Sequence, residues 1–394
     1  MKNVLGLFMV AGILCLFGAA MAADIDVSQP TNLTDNDRFD RNPSVIYDGS
    51  DYWLFYTKGD NGGVRGVGGY DPDADSYVVY YKTASSLSGL TAATETKLDQ
   101  SETGRPVGFD QRVVSTVPFD GKIYAFVSSG QSGTDRGLYY YTYDGGWTGP
   151  TQLIADGVAR GGHVNVASDG IRIYIVWESS DGSADCYTWD GTTLSAKVNI
   201  SADNQPKVTF KNLAKGGNLY VAGIEDGTGD VEIYLAEAAP LPVFSHHSTA
   251  IAGAGLYDPC IFNDGTDLYV VVAPYVPTDR QYLIQARFDW VSSTWASSQT
   301  VSYGGYGATE WWDFWPCGYS DASGQYVFFT TEATLSIGSP TLGDAEIGFV
   351  KMDWDLSRNH YFYIQNGVSQ ASAGDIIHVA PGTYCASNIV VAKG

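Results

Sequence analysis

Three dipeptides far apart in the chain, Asn42-Pro43, Asp258-Pro259 and Trp315-Pro316, each open a short apolar strand that ends in a tight turn. Near them, and at matching places in the other strands, stand side chains that move protons or hold charge. Asp40, Asp258 and Asp313 lie at strand entries, and Glu178, Glu225 and Glu332 at strand ends. Arg41, Arg112, Asn42 and His163 share those entries with the aromatic pair Trp311 and Trp312. Two carboxylates, one protonated and one ionised, can cleave an acetal linkage by acid–base or nucleophilic chemistry. In that chemistry Asp258 or Asp40 is the base or nucleophile, and Glu178 or Glu225 the acid. Arg41 and Arg112 can hold a carboxylate bidentately. Asn42, His163, Trp311, Trp312, Asp313 and Glu332 supply the stacking and polar contacts that sugar rings need.

These residues converge only if the elements between them repeat, and they do. Six times an apolar strand ends in a small turn and an aromatic-rich strand restarts. Examples are Ser44–Gly49 before Tyr52–Tyr56, Val166–Gly170 before Tyr174–Trp177, and Ile261–Gly265 before Tyr269–Val272. The turn glycines Gly49, Gly121, Gly170, Gly217, Gly265 and Gly324 recur every four to six dozen residues. Third strands follow, such as Val231–Leu235, and then edge strands, such as Thr151–Ile154. Four antiparallel strands per repeat make one blade, so the expected fold is an all-β, six-bladed β-propeller. Five blades would require one repeat to be something else. The sixth repeat has no clear fourth strand, and the segment 25–33 is expected to supply it and close the ring, removing an exposed edge. Strand entries then share one face, the default binding site, and the Asp-Gly hairpin turns lie on the other.

Composition narrows the partners. A formal net charge of −22 repels a phosphate backbone and an anionic membrane, so neither nucleic acid nor membrane is expected as a partner. Residues 1–23 read as a signal peptide, with one lysine, an apolar run and Ala20-Met21-Ala22, an uncleaved membrane anchor being the alternative. A secreted or cell-surface location follows, with a propeller over 24–358 and a different segment over 359–394. Cys260 and Cys317 follow equivalent prolines in adjacent repeats and read as buried free thiols, a disulfide being the alternative. No motif calls for a cofactor. Asp71-Pro72-Asp73-Ala74-Asp75 has the alternating carboxylates of a calcium loop, without the glycine and distal glutamate of an EF-hand.

Phe39–Tyr56 and Asp258–Gly265 resemble the blade motif of five-bladed arabinanase/xylosidase-type glycosidases. The resemblance implies a first-blade Asp as general base and a later Glu as acid. Asn42 stands in place of that Asp, and an amide cannot take a proton. Arg41-Asn42-Pro43-Ser44 is similar to the first-blade motif of six-bladed sialidases, whose arginine binds a sugar carboxylate. Tyr363–Tyr384 resembles the opening coil of pectate-lyase-like right-handed β-helices. A carbohydrate-active propeller is therefore expected, either a glycoside hydrolase or a non-catalytic glycan-binding, adhesion or scaffold module.

Overall fold

The computed structural model describes residues 24–27, 31–35, 40–59, 77–99, 111–129, 137–155, 163–178, 183–201, 203–213, 216–225, 228–253, 255–274, 282–290, 292–296, 298–303, 313–331, 345–352, 358–361 and 376–379. They form six antiparallel sheets arranged as the blades of a propeller. The inner strands are Asp40–Tyr47, Gln111–Phe119, Val164–Ser168, Asp203–Leu213, Leu256–Asn263 and Asp313–Asp321, for blades I to VI. The second strands follow the expected turns, and the aromatic runs fall within them. Ile173–Glu178 and Leu268–Pro274 are almost wholly buried. Each such strand is covered on both faces by neighbouring blades, so its apolar run is continuous rather than alternating.

Among the described residues, six apolar clusters fill the six gaps between blades. The cluster between blades VI and I joins Leu33, Val45, Leu54 and Tyr56 to Tyr326, Phe328 and Ile347. Leu33 arrives there because the chain start completes blade VI. Thr31–Asn32 pairs antiparallel with Phe349 and Gly348 of the third strand, Glu346–Met352. The Leu33 N–H donates to Ile347 O at 2.7 Å, and the Ile347 N–H donates to Thr34 Oγ1 at 2.8 Å. The closing strand is shorter than the segment 25–33. The segment also holds an earlier strand, Asp24–Val27. That earlier strand lies instead between Arg358–Tyr361 and Ile376–Val379, parallel to both. Among the described residues no helix is long and apolar enough to cross a membrane.

Two sets of hydrogen bonds fix the blades. On one face Asp48, Asp169 and Asp264 each use one oxygen to accept two backbone N–H groups of their turn, and the other to accept from an aromatic five residues on. Those aromatics, Trp53, Tyr174 and Tyr269, explain why the turns read Asp-Gly and the strands that follow start aromatic. Around the axis, a side chain of one blade accepts a backbone N–H of the next. Ser44 accepts from Thr116 at 3.1 Å, Ser115 from Val166 at 3.1 Å, and Asn165 from Val208 at 2.8 Å. Cys260 Sγ accepts from Gly318 at 2.9 Å, and Cys317 Sγ from Val45. Both thiols are free, as is the buried Cys186.

Candidate functional site

The inner strands of blades I, V and VI begin with the same irregularity. Pairing with the second strand jumps from Arg41 to Ser44, from Tyr257 to Cys260 and from Phe314 to Cys317. Each jump brackets one of the X-Pro pairs. Proline gives the ladder no N–H, so it sits where the ladder is interrupted. The residue before it takes a left-handed backbone, with φ of 52° at Asn42, 52° at Asp258 and 50° at Trp315. Such a conformation costs a non-glycine residue about 1–2 kcal/mol, and Asn and Asp bear it better than Trp. The three bulges turn Asn42, Asp258 and Trp315 toward the axis, on the face opposite the Asp-Gly turns.

Asp258 is buried, and its carboxylate accepts the backbone and indole N–H groups of Trp315. Burial pushes it up to about 7. The Lys207 charge and the two Trp315 donors oppose that rise, and the Glu178 charge adds to it. Glu178 is raised in the same way by burial, against the His163 N–H, donated at 3.1 Å, and against Lys207. The Glu178 N–H in turn donates to His163 O at 3.0 Å, locking the strand end to the entry of the inner strand. Burial, with the charges of Lys207 and Arg41, depresses the His163 imidazole to about 3. It is neutral at physiological pH, so its 4.0 Å separation from Glu178 is not an ion pair. Its Nδ1 is buried without a hydrogen-bond partner among the described residues. The buried Arg41 guanidinium lies 3.5 Å from the Tyr77 ring centroid and 5.4 Å from that of Trp315. Its planar face lies against two rings, so the group is buried at a low desolvation cost.

Arg41, Asn42, His163, Glu178 and Asp258 are thus brought to one face. Asp40 goes elsewhere. It is fully buried between blades VI and I, where its N–H donates to Ala345 O at 2.8 Å and its charge acts on Tyr56 and Lys82. Lys82 donates from there to Leu33 O at 2.5 Å, and Lys58 pairs with Glu95 at 2.7 Å. Glu225 is exposed at a hairpin of blade IV beside Asp230 and Glu232, with ligand oxygens within 4.8 Å of one another. Among these, one Glu225 oxygen accepts from Thr228 and one Asp230 oxygen from Gly253, while Glu232 accepts from Thr249 and has His246 at its other oxygen. Arg112 and Asp313 lie on inner strands, with side chains outside the described set. Trp311, Trp312, Glu332, Asp71, Asp73 and Asp75 lie outside the described residues.

Sequence reasoning missed Lys207, the cation common to Asp258, Glu178 and His163. Gln205-Pro206-Lys207 is a fourth copy of the X-Pro pattern, and pairing there also jumps, from Asn204 to Lys207. That repeat was the available signal. Tyr77 had none, since its role is to lie under an arginine of another strand.

No protein-family model and no curated protein matches the chain. Solved structures do. A Trypanosoma rangeli sialidase, solved with sialic acid, matches 85% of this chain and 58% of its own, at 10% identity and a TM-score of 0.51. An α-L-arabinofuranosidase from Podospora anserina, solved with cellotriose, matches 84% of this chain and 97% of its own, at 13% identity and a TM-score of 0.48. An exo-β-1,3-galactanase from Phanerochaete chrysosporium, solved with galactose, matches 63% of this chain and 61% of its own, at 10% identity and a TM-score of 0.45. At such identities the likeness is one of fold.

Proposed function

We propose that the chain is an exported carbohydrate-active propeller that hydrolyses a glycosidic bond on its axial face. One observation carries this reading: Asp258, on the blade V bulge, and Glu178, at the strand end of blade III, share Lys207 as a charged neighbour, and the Glu178 charge adds a little to the rise of Asp258. Two carboxylates held apart in protonation are the chemical requirement of glycoside hydrolysis. Asp258, pushed up to about 7 by burial, holds a proton to give the leaving oxygen, which reverses the roles that the sequence alone suggests for Asp258 and Glu178. Glu178, once ionised, attacks the anomeric carbon or takes a proton from the attacking water. Water then supplies the new hydroxyl, and the proton given up by Asp258 leaves with the alcohol. Trp315 offers a stacking surface. Arg41, in a chain of net charge −22, favours a sugar bearing a carboxylate, such as a uronate or sialate. The sugar-binding activities in the names of the fold relatives are consistent with this reading.

A second reading has its own observation. Asn42 occupies in blade I the bulge position that Asp258 occupies in blade V, and its amide binds hydroxyls without moving protons. A glycan-binding propeller without turnover would use the face in that way. A screen of chromogenic glycosides and a glycan array separates the two, run with Asp258→Asn and Glu178→Gln. Hydrolysis reduced by about a hundredfold or more in both variants is the expected result. Binding without turnover, unchanged in both variants, would retire the catalytic roles.

A further inference from the structure

Lys207 breaks a rule that five of the six blades obey. The first inner-strand position shared by all blades is Ser44, Ser115, Asn165, Lys207, Cys260 and Cys317. Each pairs with an equivalent residue of its second strand: Phe55, Phe126, Val176, Ala222, Val271 and Phe328. In five blades this side chain accepts the N–H that follows the same position in the next blade. The donors are Thr116, Val166, Val208, Gly318 and Val45. The sixth donor, in blade V, is Ile261, and the side chain facing it from blade IV is Lys207. An ammonium has three donors and no acceptor. At this one step around the axis the side chain offers donors only, and the ring lacks an acceptor.

The two donors share the axial channel, a cavity of about 190 Å³ lined by Lys207, Ile261, Ser44, Ser115, Thr116 and Thr209, among others. Lys207 is half-buried, and its charge acts on the Asp258 and Glu178 carboxylates, though among the described residues neither forms an ion pair with it. A buried N–H left without a partner costs about 1–3 kcal/mol, and a half-buried cation gains most from a charged acceptor. We propose that the axial channel is an anion site, in which a carboxylate seats between the Lys207 ammonium and the Ile261 backbone N–H. The acceptor absent from blade IV is then supplied by the ligand. A carboxylate fits because its two oxygens can answer two converging donors at once. The site stands independently of the carbohydrate reading, since it needs no sugar and no turnover.

The test measures acetate binding to the full chain by titration calorimetry in a low-salt buffer, with acetamide as the neutral isostere. Acetate is expected to bind and acetamide not. In a chain labelled with ¹⁵N-isoleucine, the Ile261 amide resonance moves as acetate is added. Lys207→Asn gives blade IV the residue type that blade III uses, so the ring closes with six acceptors. This variant is expected to melt no lower than the wild type and to bind acetate about tenfold more weakly or worse, the scale of one charge-assisted hydrogen bond. Lys207→Ser, with the residue type of blades I and II, repeats the test on a smaller side chain. Glucuronate in place of acetate separates the sources. If both bind through Lys207, a free small anion suffices. If only glucuronate does, the acid group belongs to a sugar. Acetate and glucuronate binding that survives Lys207→Asn, an Ile261 resonance that neither anion moves, or a variant that melts well below the wild type would each overturn the proposal.

Discussion

Asp258 combines three costs at one residue: a left-handed backbone, a buried carboxyl group and a neighbouring carboxylate. Its pH behaviour follows from the second. A carboxyl that titrates at about 7 in the fold and near 3.8 when unfolded binds its proton more tightly in the folded state. Its contribution to stability is therefore complete below about 4 and is lost as pH rises toward 7. Asp258→Asn keeps the oxygen that accepts from Trp315 and removes the charge. Above pH 7 the variant should be more stable than the wild type by on the order of 2–4 kcal/mol, and the difference should vanish near pH 4. Urea unfolding at the two pH values reads this directly. A difference that does not depend on pH would place the titration elsewhere. Hydrolysis by the wild type should decline above about pH 7, as Asp258 loses the proton it donates. Gly318 carries a different constraint. A methyl group added there would fall inside the ring of Phe262 on the neighbouring blade. Gly318→Ala should cost about 1–3 kcal/mol through overpacking, seen as a lower urea midpoint at unchanged slope.

Each blade is assembled from elements whose reasons can be read in the residues. The Asp-Gly turns, the buried second strands and the short third strands all appear where the repeats place them. They depend on local hydrogen bonds and on a burial pattern that recurs in every blade. The bulges were not foreseen, although the X-Pro pairs, with a proline that gives the ladder no N–H, were their signal, and Gln205-Pro206 was the signal of a fourth. The placement of Asp40 was not legible. It stands two residues before Asn42, yet it lies in the seam between blades VI and I, where its N–H donates to Ala345 O and its charge acts on Tyr56 and Lys82. No local pattern encodes such a non-local cluster. Closure was legible in outline, because one repeat lacked a strand and one segment lacked a blade. Its extent was not, since only Thr31–Asn32 pairs with blade VI. Leu33 contributes most to the hold by entering the cluster between blades VI and I. Leu33→Ala should destabilise the whole propeller by about 2–5 kcal/mol, and not the seam alone, because opening one seam frees every blade. Urea denaturation followed by tryptophan fluorescence and by far-UV dichroism should give coincident, shifted transitions. Separate transitions would mean that blades unfold independently.

At the scale of the molecule, six seams of similar composition surround one axis, and much of the candidate site gathers where the ring departs from its own repeat. Asp258 replaces the amide of Asn42, Trp315 stacks on Arg41, and Lys207 stands where the other blades keep an acceptor. The departures lie on blades IV, V, VI and I, which are consecutive. The closing strand also has a mechanical meaning. Residues 24–27 run parallel to 358–361, so the two ends of the ring leave side by side. A pull on those ends does not load the blades in series. It falls first on the short parallel strands in shear, and then on the two-residue pair that latches blade VI. Tension would open the ring like a clasp before it drew out any blade, and on release the blades would still be folded and ready to close again.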